Sequence, residues 1–212
     1  MQTAVQKSGL RRSEMNKNPV KLILASGSPR RRELMEQAGL PCQIIPSSDP
    51  ETTVKTSPQD IVMDLAYKKA ARIFAGLPDD PSADYAVIGA DTVVACDGMV
   101  LGKPADKKEE LSMLHLLQGR SHNVYTGVSI LSETECSTFF CSTEVVISPM
   151  TEEEIDRYAS SDEPYDKAGG YAIQGRFAVY VSEIHGSYSN VVGLPLSGLY
   201  RELSRMHLLP QH

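Results

Sequence analysis

Ser26-Gly27-Ser28-Pro29-Arg30-Arg31, set directly after the apolar run Val20 to Ala25, places two guanidinium groups where a helix would begin. Pro29 is favourable at a first helical position and Ser28 at the N-cap before it, so Arg30 and Arg31 fall in the first turn. Cations there face the partial positive charge and unpaired N–H groups of a helix N-terminus, at a cost of about 0.3–1 kcal/mol each. An anion removes the conflict. A strand, a small-residue turn and a helix N-terminus carrying guanidinium forks make a phosphate cradle. An ordinary capped helix with solvated arginines is the alternative that this stretch alone leaves open.

Further along the chain are groups that could act on a bound phosphate. Asp91 follows the apolar run Tyr85 to Gly89, at the carboxyl end of an expected strand, where ligands of α/β proteins collect. The competing reading is an aspartate that caps a turn. Glu51 stands in a polar loop and alone would be a solvated acid. Together with Asp91 it supplies the hard oxygen ligands that Mg²⁺ or Mn²⁺ prefers, an ion that keeps several waters and bridges to substrate phosphates. Gly102 and Pro104 restrict the backbone around Lys103 and so fix where its ammonium points. Lys69 lies beside Lys68 on a helix, where a solvated face is the ordinary reading. Gln174, in the glycine-containing polar segment Asp162 to Gly175, can both donate and accept, as recognition of a base edge requires. That segment has the length of a functional loop, with a structural polar loop as the alternative. No G-x-x-x-x-G-K-[ST] pattern occurs, which excludes a P-loop enzyme. His122 has no serine or cysteine nucleophile in a suitable turn nearby, so packing or hydrogen bonding is its expected role.

The elements that must position these residues are marked by local chemistry. Glycine stops the first helix near Ala38-Gly39, and Cys42 to Pro46 reads as a second strand before a polar loop, Ser47 to Thr56. Ser57-Pro58-Gln59-Asp60 starts a helix whose apolar spacing runs to Gly76, and Pro78 to Ser82 is a loop. Tyr85 to Gly89 and Val93 to Cys96 are extended runs on either side of Ala90-Asp91-Thr92, and Asp97-Gly98 is a two-residue hairpin signal leading into Met99 to Leu101. Asp106 with Glu109 caps a helix to about Leu117. Ser121 to Leu131 and Ser137 to Ile147 read as a long antiparallel pair, and Thr151 with Glu154 begins a short helix. Phe177 to Ile184 is expected as a strand, Gly186 to Asn190 as a turn and Leu196 to Leu208 as an amphipathic helix. Strands alternate with helices but hairpins are mixed in, so the expected architecture is α/β, a mixed, twisted sheet flanked by helices.

Composition narrows the functional classes. The 212 residues are 41% hydrophobic, enough for a substantial core, and the net charge of −6 gives no general attraction to nucleic acid or to an anionic membrane. The four cysteines, Cys42, Cys96, Cys136 and Cys141, form no C-x-x-C pair and read as free thiols. No apolar stretch approaches the roughly 18–20 residues of a membrane span, and a cytoplasmic protein is expected. Residues 1–18 carry Lys7, Arg11, Arg12 and Lys17 against Glu14 and read as a basic, disordered extension, with a mitochondrial-type presequence as the alternative. Residues 19–212 are expected to form a single catalytic domain.

The motifs also occur in a recognisable order. Ala25 to Arg31, Leu65-Ala66 with Lys69-Ala70, Gly89-Ala90-Asp91-Thr92, Gly102-Lys103-Pro104, His122 with Thr126-Gly127, Tyr165 to Gly175, Gly186-Ser187 with Asn190-Val191, and Gly193-Leu194-Pro195 together resemble the Maf family over roughly residues 20 to 208. The resemblance implies a fold similar to that of the inosine-triphosphate pyrophosphatases, anticodon-binding-like and two-lobed with a central cleft. It implies hydrolysis of nucleoside triphosphates to the monophosphate and pyrophosphate, with a divalent cation and a homodimer. By the same resemblance Ser26, Arg30, Arg31, Lys69 and Lys103 bind the triphosphate, Asp91 is the catalytic aspartate, and Glu51 joins Asp91 at the metal. Pro50 stands where an acid often precedes that glutamate. Gln174 with Arg30 and Thr92 matches the subgroup that looks like dTTP and UTP pyrophosphatases, which also implies modified pyrimidine nucleotides as substrates. A non-catalytic nucleotide-binding regulator of cell division is the alternative, and stable nucleic-acid binding is disfavoured by the acidic charge.

Overall fold

The structure is a computed structural model and describes residues 20–48, 50–78 and 84–209. The leading segment 1–18, expected as an extension or presequence, lies outside the described residues. So do Asp49 and most of the loop expected over Pro78 to Ser82.

The chain runs β1 (Val20–Leu24), α1 (Pro29–Gln37), β2 (Cys42–Ile44), α2 (Pro58–Phe74), β3 (Asp84–Cys96), β4 (Met99–Leu101), α3 (Lys107–Leu117), β5 (Ser121–Leu131), β6 (Cys136–Ile147), α4 (Glu152–Ala159), three short 3₁₀ turns, β7 (Val181–His185), α5 (Tyr188–Val192) and α6 (Leu196–Arg205). The strands form one mixed sheet in the order β2-β1-β3-β5-β6-β7, with β4 paired to β3. β1 is parallel to β2 and β3, and the remaining pairings are antiparallel. The expected mixed α/β sheet with helical cover is the observed architecture.

The local signals act as their chemistry dictates. Gly39, at φ +66°, ends α1, where Leu40 N–H donates to Met35 O and Gly39 N–H to Glu36 O, the paired bonds of a glycine stop. The side chain of Ser57 accepts from Asp60 N–H at the start of α2, and that of Asp106 accepts from Glu109 N–H at the start of α3. Thr151 and Glu154 complete a reciprocal capping box. Asp97 and Gly98 both take positive φ, as the two-residue hairpin requires.

Three expectations are corrected. β3 is one strand of 13 residues running through Asp91, where the sequence suggested a break after Gly89. Gly89 marks an approach of α2 instead of a strand end: a Cβ there would lie 2.1 Å from Ala66 O. The strand expected from Phe177 is a 3₁₀ turn over Arg176–Tyr180, extended only from Val181, because Phe177 is buried inward among Tyr158, Tyr171 and Tyr180. The turn expected over Gly186 to Asn190 becomes a helical turn, α5, capped by Ser187.

Two of the apolar clusters lie along the long strands on either side of the cleft residues of β3. One packs Leu22, Leu24 and Ile88 under Leu34, Met35, Leu199 and Leu203 of α1 and α6. The other packs Val94, Val124 and Val145 with Leu114, Leu117, Ile155 and Phe177. Glu110 is fully buried beside that second core, with neither oxygen hydrogen-bonded. Gly170, at φ +72°, makes room for it, since a Cβ there would stand 1.8 Å from Glu110 Oε2.

Burial pushes the Glu110 carboxyl up from its ordinary 4.5 to about 8. The folded state therefore holds a proton that the unfolded chain has already released, and stability falls as pH rises through that window. Glu110→Gln removes the titrating group. The urea midpoint of the wild type is expected to drop more between about pH 5 and pH 8 than that of the variant. Equal slopes would contradict a buried neutral glutamic acid.

Candidate active site

The parallel pairing of β1 with β3 ends at Leu24 and Ile88. Beyond that end a cleft of about 340 Å³ is walled by the start of α1, by Asp91 to Val94 of β3, by Lys69 of α2, by Glu51 and Lys103, and by residues from the 162–175 segment. Asp91 thus sits inside a continuous strand and still stands just past the carboxyl end of the parallel part, where the flanking strand no longer covers it.

Lys69 joins the two acids. Its Nζ lies 2.6 Å from Asp91 Oδ1 and 2.6 Å from Glu51 Oε1. The helix reaches that close because Gly89 and Gly127 lack side chains. A Cβ on Gly127, the register partner of Asp91, would fall 2.3 Å from Val62 O of α2. Asp91 is 6% exposed, and burial raises its pKa, an effect that the charge and hydrogen bond of Lys69 and the charge of Arg31 only partly offset. For Glu51 the balance reverses. Burial pushes its carboxyl up, but the hydrogen bond and charge of Lys69, with Lys103 and Arg31, outweigh it and hold the pKa below the ordinary value. One acid is consequently a buried base and the other a half-exposed carboxylate. Lys103 Nζ stands 3.7 Å from Glu51 Oε2 and is otherwise solvated.

Arg31 is fixed from three sides. Its Nη1 donates to Ser26 Oγ at 3.1 Å, its Nη2 to Thr92 Oγ1 at 3.0 Å, and its Nε to Gly193 O at 2.8 Å. A guanidinium has five N–H donors, so one remains on each terminal nitrogen for a ligand. Arg30 turns to the opposite wall, Nη1 to Asp166 Oδ2 at 3.3 Å. Ser28 occupies the N-cap position of α1, but its hydroxyl makes no cap; its N–H donates instead to Ser26 Oγ at 3.3 Å.

Arg30, Arg31, Glu51, Lys69, Asp91, Thr92, Lys103 and Gln174 all line the cleft. Ser26 is buried behind the wall, acting on Arg31. Gln174 is exposed at the rim, without a hydrogen-bond partner among the described residues. Local sequence reasoning passed over Lys167, which lines the cleft and donates to Glu163 O at 2.7 Å while pairing with Asp166. Two left-handed glycines one residue further on, Gly169 and Gly170, were the available signal that the lysine is held in place. His122 lies outside the cleft, its Nε2 2.7 Å from the Tyr171 hydroxyl, in the hydrogen-bonding role expected of it.

The donor set fits a divalent ion of the magnesium type. Among the described residues no group of three or more His, Cys, Asp or Glu side chains is placed to hold a metal. Glu51 and Asp91 offer two carboxylates to one space, the number such an ion takes when waters and phosphate oxygens complete its shell. No helix among the described residues is long and apolar enough to cross a membrane, and Cys42, Cys96, Cys136 and Cys141 are free thiols.

Comparison with known proteins identifies the family. A family model described as Maf-like protein matches residues 21–206. A protein of Bacillus thuringiensis subsp. konkukian named dTTP/UTP pyrophosphatase is 49% identical over 193 residues, covering 91% of this chain and 98% of that one. A Bacillus cereus protein of the same name is 47% identical over 196 residues, covering 92% and 94%. A solved nucleoside-triphosphatase / dITP/XTP pyrophosphatase from Mycobacterium abscessus aligns over 88% of this chain and 94% of that one with a TM-score of 0.39 at 12% identity, too distant to inform the site. The chain belongs to the Maf family.

Removing one partner of a buried ion pair strands the other charge. Lys69→Met is expected to destabilise the fold by about 3 kcal/mol, and Lys69→Met combined with Asp91→Asn to recover a large part of that loss. Urea unfolding of the two single variants and the double variant measures the coupling. Additive losses would show that Lys69 and Asp91 do not depend on each other.

Proposed function

We propose that this Maf-family chain is a nucleoside triphosphate pyrophosphatase, acting on dTTP and UTP and on modified pyrimidine nucleotides. The observation that carries the reading is the convergence of Arg30, Arg31, Lys69, Lys103 and Lys167 around one buried aspartate in a chain whose net charge is −6. Such a cleft concentrates a polyanion that the rest of the surface repels.

In this reading the two unbound N–H groups of Arg31, with Arg30, Lys103 and Lys167, hold the triphosphate in line. The Ser26 hydroxyl keeps Arg31 in place. Asp91, with its raised pKa, accepts a proton from water as that water attacks the α-phosphorus. The bond from the α-phosphorus to the bridging oxygen breaks, leaving a nucleoside monophosphate and pyrophosphate. Lys69 fixes the Asp91 carboxylate for that transfer. Glu51 and Asp91 would hold Mg²⁺ or Mn²⁺, which supplies charge neutralisation on the phosphates. Gln174 at the rim has both donor and acceptor free for a base edge. Thr92 lines the cleft and also holds Arg31. A catalytic unit over residues 19–212 and a homodimer, supported by the family resemblance, complete the reading with a cytoplasmic location and the absence of stable nucleic-acid binding, the last supported by the net charge of −6.

The test is turnover of dTTP, UTP, CTP and 7-methyl-GTP with pyrophosphate release, for the wild type and for Asp91→Asn. The wild type is expected to favour dTTP and UTP. The variant is expected to lose about 10²–10⁴-fold in kcat while still binding dTTP. A variant that keeps more than half the wild-type rate contradicts the role of Asp91, and a clear preference for 7-methyl-GTP contradicts the substrate class.

A further inference from the structure

We propose that Thr126 and the backbone carbonyl of Asn190 are positioning groups for Arg31, closing a ring of hydrogen bonds that sets the guanidinium before any substrate arrives. The inference rests on the pyrophosphatase reading for its catalytic meaning and on geometry for its existence.

Thr126 is fully buried on β5, opposite Thr92 in the sheet register. Its hydroxyl has one proton, which it donates to Asn190 O at 3.0 Å. The Thr92 hydroxyl, 2.9 Å away, must then be the donor to Thr126. Thr92 in turn accepts from Arg31 Nη2. The other side of the ring starts at the same Asn190 carbonyl, which also accepts from Gly193 N–H at 3.0 Å, and Gly193 O accepts Arg31 Nε. Both edges of the guanidinium are therefore referred to one carbonyl. That carbonyl does not drift, because the Asn190 side chain is fully buried and its Nδ2 donates to Val124 O at 3.0 Å and Thr143 Oγ1 at 2.9 Å.

Proton counting has a functional consequence. With its proton committed to Thr126, Thr92 cannot donate to a nucleotide while the ring is intact and can meet one only as an acceptor. A chain of hydroxyls ending on a carbonyl is also polarised by the cation at its head, which strengthens each bond in it. The cradle is thus stiff at Arg31 and comparatively free at Arg30, whose side chain has one hydrogen-bond partner among the described residues, Asp166.

The experiment compares Thr126→Val and Thr126→Ser with Ser129→Ala, which removes another fully buried β5 hydroxyl, bonded at 2.8 Å to the exposed Thr138 of β6 and unconnected to the cleft. The readouts are the Kd of inorganic triphosphate by calorimetry in metal-free buffer, and KM and kcat for dTTP. Thr126→Val is expected to weaken triphosphate binding and raise KM by about tenfold, with a smaller change in kcat. Thr126→Ser should restore both, and Ser129→Ala should leave both near wild type. Because Asn190 O keeps its bond from Gly193 N–H, the valine variant does not leave that carbonyl unpaired and should fold. Thr92→Val breaks the same ring at its other hydroxyl, and the Thr92→Val, Thr126→Val double variant should lose no more than the worse single one. Unchanged triphosphate binding in Thr126→Val, an equal loss in Ser129→Ala, or additive losses in the double variant would overturn the ring. If triphosphate binding responds to Thr126 as stated while no nucleotide is hydrolysed by the wild type, the ring stands and the pyrophosphatase reading falls.

Discussion

One ammonium group between two carboxylates organises this cleft. Lys69 Nζ, 2.6 Å from Asp91 and 2.6 Å from Glu51, makes it possible to bury an aspartate in the middle of a largely apolar strand. An unpaired carboxylate there would be expelled or protonated. The bridge in turn depends on how closely α2 lies on the sheet, and that distance is set by the two strand glycines, Gly89 and Gly127, under its backbone. A methyl group at either position would lift the helix and separate the ammonium from the acid it serves.

The opposite wall solves a different problem, that of presenting positive charge without letting it wander. Arg31 is half-buried, and desolvation lowers its pKa against the opposing charges of Asp91 and Glu51. Neutral acceptors from Ser26, Thr92 and Gly193 hold it. Five cations and three carboxylates line the cleft, a positive balance inside a chain of net charge −6. Preorganised charge of this kind needs no rearrangement when a phosphate arrives.

Local chemistry was legible wherever a short motif decides a short structure. Ser57-Pro58, Asp106 with Glu109, Thr151 with Glu154 and Asp97-Gly98 all act as their residue types require. The misreadings came where a distant element decides. Gly89 looked like a strand end because nothing nearby announces that α2 needs the space. Phe177 looked like a strand residue because the aromatic cluster that turns it inward is assembled from Tyr158, Tyr171 and Tyr180. Lys69, one of a lysine doublet, had no local mark separating it from Lys68, which instead pairs with Asp64 on its own helix. Family resemblance singled it out; only the fold displays the two acids it joins. Ser26, Thr92, Thr126 and Asn190 were quoted as motif residues, yet their connection through Arg31 spans 164 positions of the chain, 190 − 26, and no spacing rule reaches that far.

The central claim is that the cleft directs water onto the α-phosphorus, beside Asp91, and not onto the outer phosphates. Hydrolysis of dTTP in H₂¹⁸O, followed by mass spectrometry of both products, tests it most directly. A single ¹⁸O in dTMP and none in pyrophosphate is the expected result. Label in the pyrophosphate, or release of inorganic phosphate instead, would contradict it.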